Sequence, residues 1–228
     1  MRNVILIIGA SSGIGLSTAQ KLAEDEKNIV ICSSRNIEQK PPFVGKQNII
    51  FKNMDVVDEK SVCDLCDFIA EKYQNLDVII NCAGYVKPLG IFEISLEDWH
   101  KTLEVNLTGV FNVTKYGAAL MKRNGGKIIN VASTAGLTPR PGWAAYAAAK
   151  SGVINFSTTM SEELKIYGIR VYCICPGRTA TPLRKILAPD EDPMTIMQPK
   201  AVAGVIKSLI DDCSNVLEGQ AIIVRDRY

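Results

Sequence analysis

Val4-Ile-Leu-Ile-Ile8 runs straight into Gly9-Ala-Ser11-Ser12-Gly13-Ile14-Gly15. A short unbroken apolar run of this kind suits a parallel strand buried on both faces. The residues after Gly15 have helical character to about Glu26. A glycine turn between strand and helix lets backbone come close to a pyrophosphate. The helix N-terminus then offers free N–H groups and the positive end of its dipole. The same loop, Gly9 to Gly13, also fits Gly-x-Ser-x-Gly, the nucleophile elbow of hydrolases. That reading would use Ser11 as nucleophile and His100, the only histidine in the chain, as base. An elbow usually lies deep in a sheet, whereas this loop follows the first strand, so the phosphate reading is preferred.

The next strand, Ile29–Cys32, leads into Ser33-Ser34-Arg35-Asn36. An NAD(H) site would place Asp or Glu here to accept from the ribose hydroxyls. Two serines and an arginine suit a 2′-phosphate instead, through charge-assisted hydrogen bonds, which points to NADP(H). Pro41, Pro42 and Gly45 leave little room for a crossover helix, so residues 36–47 are predicted to be mainly loop. A strand over Asn48–Lys52 follows, with Asp55 and Val56 beyond its end, near where an adenine would lie. Val62, Leu65, Cys66, Ile69 and Tyr73 recur at helical spacing, which predicts an amphipathic helix over 59–73. Cys63-x-x-Cys66 lies inside it without a second pair, so it reads as packing and no metal site is expected.

A strand over Asp77–Asn81 ends in Asn81-Cys82-Ala83-Gly84, small enough for a flat ring to approach. A long helix from about Asp98 to Lys122 carries Asn106, an amide that helical propensity disfavours in mid-helix. Strand Gly126–Ala132 delivers Ser133, and strand Ile169–Cys175 ends in Pro176-Gly177-Arg178-Thr179-Ala180-Thr181-Pro182. Residues 183–198 read as a mobile flap, followed by a helix over 199–212 and a strand over Gln220–Val224. The alternation predicts an α/β fold: one Rossmann-like, doubly wound parallel sheet spanning residues 1–228.

Ser133 is followed by a Pro/Gly-rich turn and then by Tyr146-Ala-Ala-Ala-Lys150, within a predicted helix over 145–167. Residues four apart share a helical face. A phenol titrates near pKa ~10, and an ammonium held beside it favours the phenolate. Such a phenol can give a proton to a developing alkoxide, with the Ser133 hydroxyl polarising the same oxygen. Leu89, Trp143, Pro182 and Leu183 suggest a partly apolar pocket, and Arg140 and Arg178 near its mouth either meet an anionic substrate or are solvated surface cations.

With 228 residues, nearly half of them apolar, and a formal net charge of +2, the chain has no electrostatic footprint for nucleic acid or acidic membranes. No apolar run approaches the ~20 residues of a membrane span. Met1-Arg2-Asn3 and Val4–Ile8 read as the lead into a strand rather than a signal peptide. The seven cysteines form no small-scaffold framework, which suggests the reducing cytoplasm.

Taken together these residues resemble the short-chain dehydrogenase/reductase family. Gly9-x-x-x-Gly13-Ile14-Gly15 is similar to its cofactor loop, Asn81-Cys82-Ala83-Gly84 to its strand-four motif, and Pro176-Gly177 with Thr179 and Thr181 to its nicotinamide-amide segment. Asn106, Ser133, Tyr146 and Lys150 fall where its catalytic tetrad falls. The resemblance implies a carbonyl–alcohol oxidoreductase acting on a small molecule, a ketone, aldehyde or 3-oxoacyl group. Tyr146 would be the acid/base, and Lys150 would tune it and hold the nicotinamide ribose. Ser133 would orient the carbonyl, and Asn106 would support a proton-relay water. It also implies a homodimer or homotetramer formed through the helices at 98–122 and 145–167. Ile8, Cys82 and Ala132 depart from the common pattern, which has Thr, Asn and Ser there. Ser12 stands where NADP(H) members commonly carry a basic residue, so the cofactor reading rests on Arg35. An NADP(H)-binding regulatory protein with little turnover is the alternative of another class.

Overall fold

The computed structural model describes residues 3–39, 41, 46–213 and 216–226. Strand β1 (Asn3–Ile8) shows why the fold takes this form. Val4, Leu6 and Ile8 belong to the apolar cluster on one face, and Ile5 and Ile7 to the cluster on the other. A strand with no wet face has to lie inside a sheet covered on both sides. Burying each such side chain contributes about 1.5–3 kcal/mol.

Beside β1 lie β2 (Asn28–Ser34) and β4 (Val78–Asn81), both parallel to it. The sheet extends through β3 (Ile49–Asn53) on one edge and through β5 (Gly126–Val131), β6 (Ile169–Pro176) and β7 (Ala221–Val224) on the other. All seven strands are parallel, in the order β3-β2-β1-β4-β5-β6-β7. The order reverses at β1, so the crevice opens between β1 and β4, at their carboxyl ends. Ile8, the last residue of β1, is level with both Ser33 and Asn81.

Helices α1 (Gly13–Leu22) and α7 (Pro199–Asp211) pack together on one face. On the other lie α2 (Glu59–Tyr73), α3 (Leu96–Leu103), α4 (Gly109–Met121) and α5 (Ala144–Leu164). Helix α2 has the predicted span. The Asp58 carboxylate accepts the Lys60 N–H at 3.0 Å to start it, and left-handed Gln74 (φ 60°) ends it.

Three expectations are corrected. Helix α1 stops at Leu22 rather than near Glu26, because Asp25 takes the chain into a turn by accepting the Lys27 N–H at 2.9 Å. The helix predicted over 98–122 is broken by a wide turn over Glu104–Thr108, where Gly109 N–H donates to Glu104 C=O, five residues back. Residues 183–198 are folded chain: they carry most of α6 (Pro182–Leu187) and a 3-10 turn, Pro193–Thr195. The loop expected over 36–47 is turn at residues 36–39, whereas Pro42 and Gly45 lie outside the described residues.

Candidate active site

A cleft of about 1190 Å³ opens at the carboxyl ends of the strands. One side is lined by Gly9, Ser11, Ser12, Gly13, Ile14, Ser34, Arg35, Asn36, Asp55, Val56, Ala83 and Gly84. The other is lined by Ser133, Tyr146, Lys150, Pro176, Gly177, Thr179 and Thr181. Of the residues the sequence singles out as the site, Gly15, Asn81 and Asn106 stand behind this wall.

The glycine turn is built by close approach. Gly9 has φ +75°, and a Cβ there would lie 2.7 Å from the Ala83 nitrogen. A Cβ on Gly15 would run into the Gly9 carbonyl oxygen. The turn is held from β2, whose Ser33 carbonyl accepts the Gly9 and Ala10 N–H groups at 2.8 and 3.1 Å. Ser12 precedes α1 in extended conformation and its side chain makes no cap bond, so the helix N-terminus faces the cleft uncapped. Cys82 replaces a side chain but not the ladder, since its N–H donates to Ile8 C=O at 3.0 Å. No carboxylate stands at the end of β2, where Ser34 and Arg35 line the cleft. This donor set fits a pyrophosphate at the turn and a phosphomonoester at Arg35.

The side chains that the sequence singles out for chemistry are carried by β5 and α5. Ser133 follows β5, and its hydroxyl accepts the Ala135 N–H at 3.1 Å. Tyr146 and Lys150 are buried on one side of α5, and the Lys150 Nζ sits 5.7 Å from the Tyr146 ring centre. Burial pushes the Tyr146 phenol up to about 12, opposed by a hydrogen bond with Ser133. Burial likewise pulls the Lys150 ammonium down to about 8. The sequence suggests an amine that acidifies the phenol. In the structure desolvation dominates instead, and Lys150 gives its hydrogen bond to the Val131 carbonyl at 2.9 Å. Tyr146 is therefore a protonated phenol at neutral pH, equipped to donate.

Asn106 sits in the wide turn between α3 and α4 and is fully buried. Its amide nitrogen donates to Thr102 C=O at 2.8 Å and Tyr85 C=O at 2.7 Å, and its oxygen accepts the Tyr85 N–H at 3.2 Å. It thus clamps the segment after β4 to the wide turn. Asn81 donates to the Asn130 oxygen at 2.7 Å, and Asn130 to the Ser157 hydroxyl at 2.9 Å, tying β4, β5 and α5 together.

At the mouth, Trp143 stands edge-on to Tyr146, with ring centres 6.5 Å apart, and the Arg184 guanidinium lies 5.8 Å from the Trp143 ring. Pro182 and Leu183 line the cleft as expected, whereas Leu89 braces it, its N–H donating to Gly142 C=O at 2.8 Å. Arg184 forks onto Glu191 at 2.6 and 2.8 Å, and Arg178 reaches the same carboxylate at 3.2 Å. The sequence reading missed Arg184 and Glu191. The available signal was Thr181-Pro182, a cap followed by proline at the first helical position. Thr181 accepts the Arg184 N–H at 3.1 Å. Ser11 and His100 both line the cleft, but no hydrogen bond joins them, so the structure adds nothing to the hydrolase reading.

Residues 3–192 match the family model described as short chain dehydrogenase. Among curated proteins, the chain is 34% identical over 220 residues to a 3-oxoacyl-acyl-carrier-protein reductase of Synechocystis sp., covering 92% of this chain and 89% of that one. Two solved structures superpose closely. ElxO with NADP bound has a TM-score of 0.89 at 27% identity, over 98% of this chain and 97% of that one. A single-substitution variant of actinorhodin polyketide ketoreductase with NADPH has a TM-score of 0.85 at 29% identity, over 98% and 95%.

Proposed function

The chain belongs to the short-chain dehydrogenase family, and from that premise we propose that it interconverts a carbonyl and an alcohol with NADP(H). One observation carries the reading. A buried phenol, followed four residues later by a buried lysine, opens together with Ser133 into the same cleft as the glycine turn and Arg35. The Gly9–Gly15 turn would hold the pyrophosphate, Ser34 and Arg35 the 2′-phosphate, and Gly177, Thr179 and Thr181 the nicotinamide amide. When bound, the cofactor supplies or accepts the hydride.

The protein's own part is binding and proton management. Ser133 orients the substrate oxygen, and Tyr146 Oη gives that oxygen a proton in the reductive direction. The phenolate left behind lies near the Lys150 ammonium, which stabilises it across a water-poor site. Asn106 acts indirectly, by fixing the Tyr85 backbone at the cleft wall and the wide turn behind it.

A 3-oxoacyl thioester or related ketone is the substrate class, supported by the named reductases and the partly apolar mouth at Trp143, Pro182 and Leu183. Residues 183–198, folded as most of α6 and a 3-10 turn rather than as mobile loop, would cover the substrate through Leu183, Arg184 and Leu187 at the cleft. Phe111 on α4 is half-exposed and edge-on to Phe156 on α5, which supports pairing of copies through these helices. Seven free thiols fit a cytoplasmic setting. No helix among the described residues is long and apolar enough to cross a membrane.

Loss of NADPH absorbance with a panel of ketones and 3-oxoacyl thioesters tests the reaction. Turnover with at least one panel member is expected. NADPH binding without turnover of any would favour the regulatory reading, and equal rates with NADH would remove the role given to Arg35.

A further inference from the structure

A second cavity, of about 320 Å³, lies behind the nicotinamide-side wall of the cleft. Its apolar lining is Leu137, Ile196, Met197 and Ile223, and three arginines are among its lining residues, Arg140, Arg178 and Arg225. Asp226 is the one carboxylate among its lining residues. Arg178 makes a single contact to Glu191 and stays largely exposed. Arg140 and Arg225 make no side-chain hydrogen bond or ion pair to any described residue. Two arginines without internal partners, and a third held by one contact, around an apolar floor select a compact organic anion: the head meets the arginines and the tail fills the floor.

The walls of this cavity are the backs of active-site segments. Thr134, Arg140, Gly177 and Arg178 line both spaces, so Arg225 is the arginine that belongs to this cavity alone. The Gly177 N–H donates to the Val224 carbonyl at 2.8 Å, and a Cβ on Gly177 would come within 3.0 Å of the Arg225 Cβ. Ala180 N–H donates to Met197 C=O at 2.9 Å, which ties the segment between Gly177 and Thr181 to the cavity floor. A ligand that draws on Arg225 and packs against Met197 acts on the segment assigned to the nicotinamide amide. We propose that this cavity is an effector site for a small amphiphilic carboxylate, coupled to cofactor affinity through residues 177–180.

Hexanoate is the probe, with hexanol as the uncharged control, and titration calorimetry on the intact protein reads both ligands. Binding is separate from turnover, so the test stands whatever the fate of the carbonyl chemistry. Hexanoate is expected to bind at about 1 mM or tighter and to change the NADPH dissociation constant about fivefold or more. NADPH must change hexanoate affinity by the same factor, because linkage is reciprocal. Arg225→Gln should weaken hexanoate at least tenfold while leaving NADPH affinity without hexanoate unchanged. Ile223→Ser should weaken it a few-fold without touching a charge, and stands alone if the first variant does not fold. Equal binding of hexanol, undiminished hexanoate affinity in both variants, or complete displacement of hexanoate by NADPH or a turned-over ketone would overturn the assignment. So would a change of molecular mass in Arg225→Gln with hexanoate affinity intact, which would make this face a contact between copies of the chain.

Discussion

The two walls of the cleft do their work by different means. The wall at the end of β1 is backbone: Gly9 and Gly15 create space by lacking a Cβ, and α1 starts behind Ser12 with no side-chain cap. The wall on β5 and α5 is side chain: Tyr146 and Lys150 are buried, and burial disfavours the charged form of each. A backbone wall is insensitive to which small residues stand beside its glycines and intolerant of one added methyl. A buried side-chain wall depends on single atoms, and its chemistry depends on how dry it stays. Exchanging the two kinds of substitution tests the contrast.

The largest effect belongs to the dry wall. Tyr146→Phe removes the hydroxyl, leaves the ring against Trp143, and should lower kcat by about 10²–10⁴, the usual share of a positioned acid. NADPH affinity measured by fluorescence should hardly change, because the opposite wall is untouched. A retained kcat would mean that another group donates the proton. On the backbone wall, Gly9→Ala forces a Cβ into the Ala83 backbone at a φ that L-residues avoid. Strain and overpacking together should cost about 2–5 kcal/mol in urea unfolding. Ser12→Ala, three residues away on a side chain that makes no cap bond, should leave stability nearly unchanged.

The same contrast separates what the sequence disclosed from what it hid. The sheet was legible because β1, β4 and β6 are apolar without alternation, which only double coverage explains. Glycine spacing was legible because a missing Cβ is written in the letter itself. The Tyr146–Lys150 pair was legible as a pair four apart. Its electrostatics were not, since desolvation depends on Val131, Ala149 and Cys173 being buried around it, and spacing carries no such information. The wide turn at Asn106 was hidden too: five residues with i→i−5 bonding inside a helical run leave no periodicity to read. The clamp of Arg184 on Glu191 joins residues on either side of a helix end that charge patterning alone does not place.

Two smaller effects refine each wall. Arg35→Ala should raise KM for NADPH about 10–100-fold, the worth of charge-assisted hydrogen bonds, and leave KM for NADH within about twofold. An equal rise for both cofactors would assign Arg35 to folding rather than to the 2′-phosphate. On the dry wall, Lys150 loses its proton near pH 8 in the folded protein. Reductive kcat should fall above that point, by about tenfold for each further unit. Stability should move the other way. The unfolded chain keeps this proton up to about pH 10.4, so between about 8 and 10.4 the unfolded state binds more protons and raising the pH favours the fold. Lys150→Met should abolish that rise, read as Tm against pH.

The smallest effect falls at the mouth, where the two walls are bridged by charge. Glu191 holds Arg184 through two hydrogen bonds and Arg178 through one, and Arg184 leans over Trp143, which touches Tyr146. The arginines keep the Glu191 carboxyl below its usual range, so the bridge is intact at neutral pH. The Arg178 arm is open to solvent while the Arg184 fork is partly buried; Glu191→Gln keeps one neutral acceptor for the fork and should cost about 1 kcal/mol, raising substrate KM by no more than about fivefold and leaving kcat unchanged. Salt should reproduce the effect in the parent protein and have none in the variant. A fall in kcat instead would mean that the bridge sets the position of Trp143 against Tyr146, making the mouth part of the dry wall rather than a rim around it.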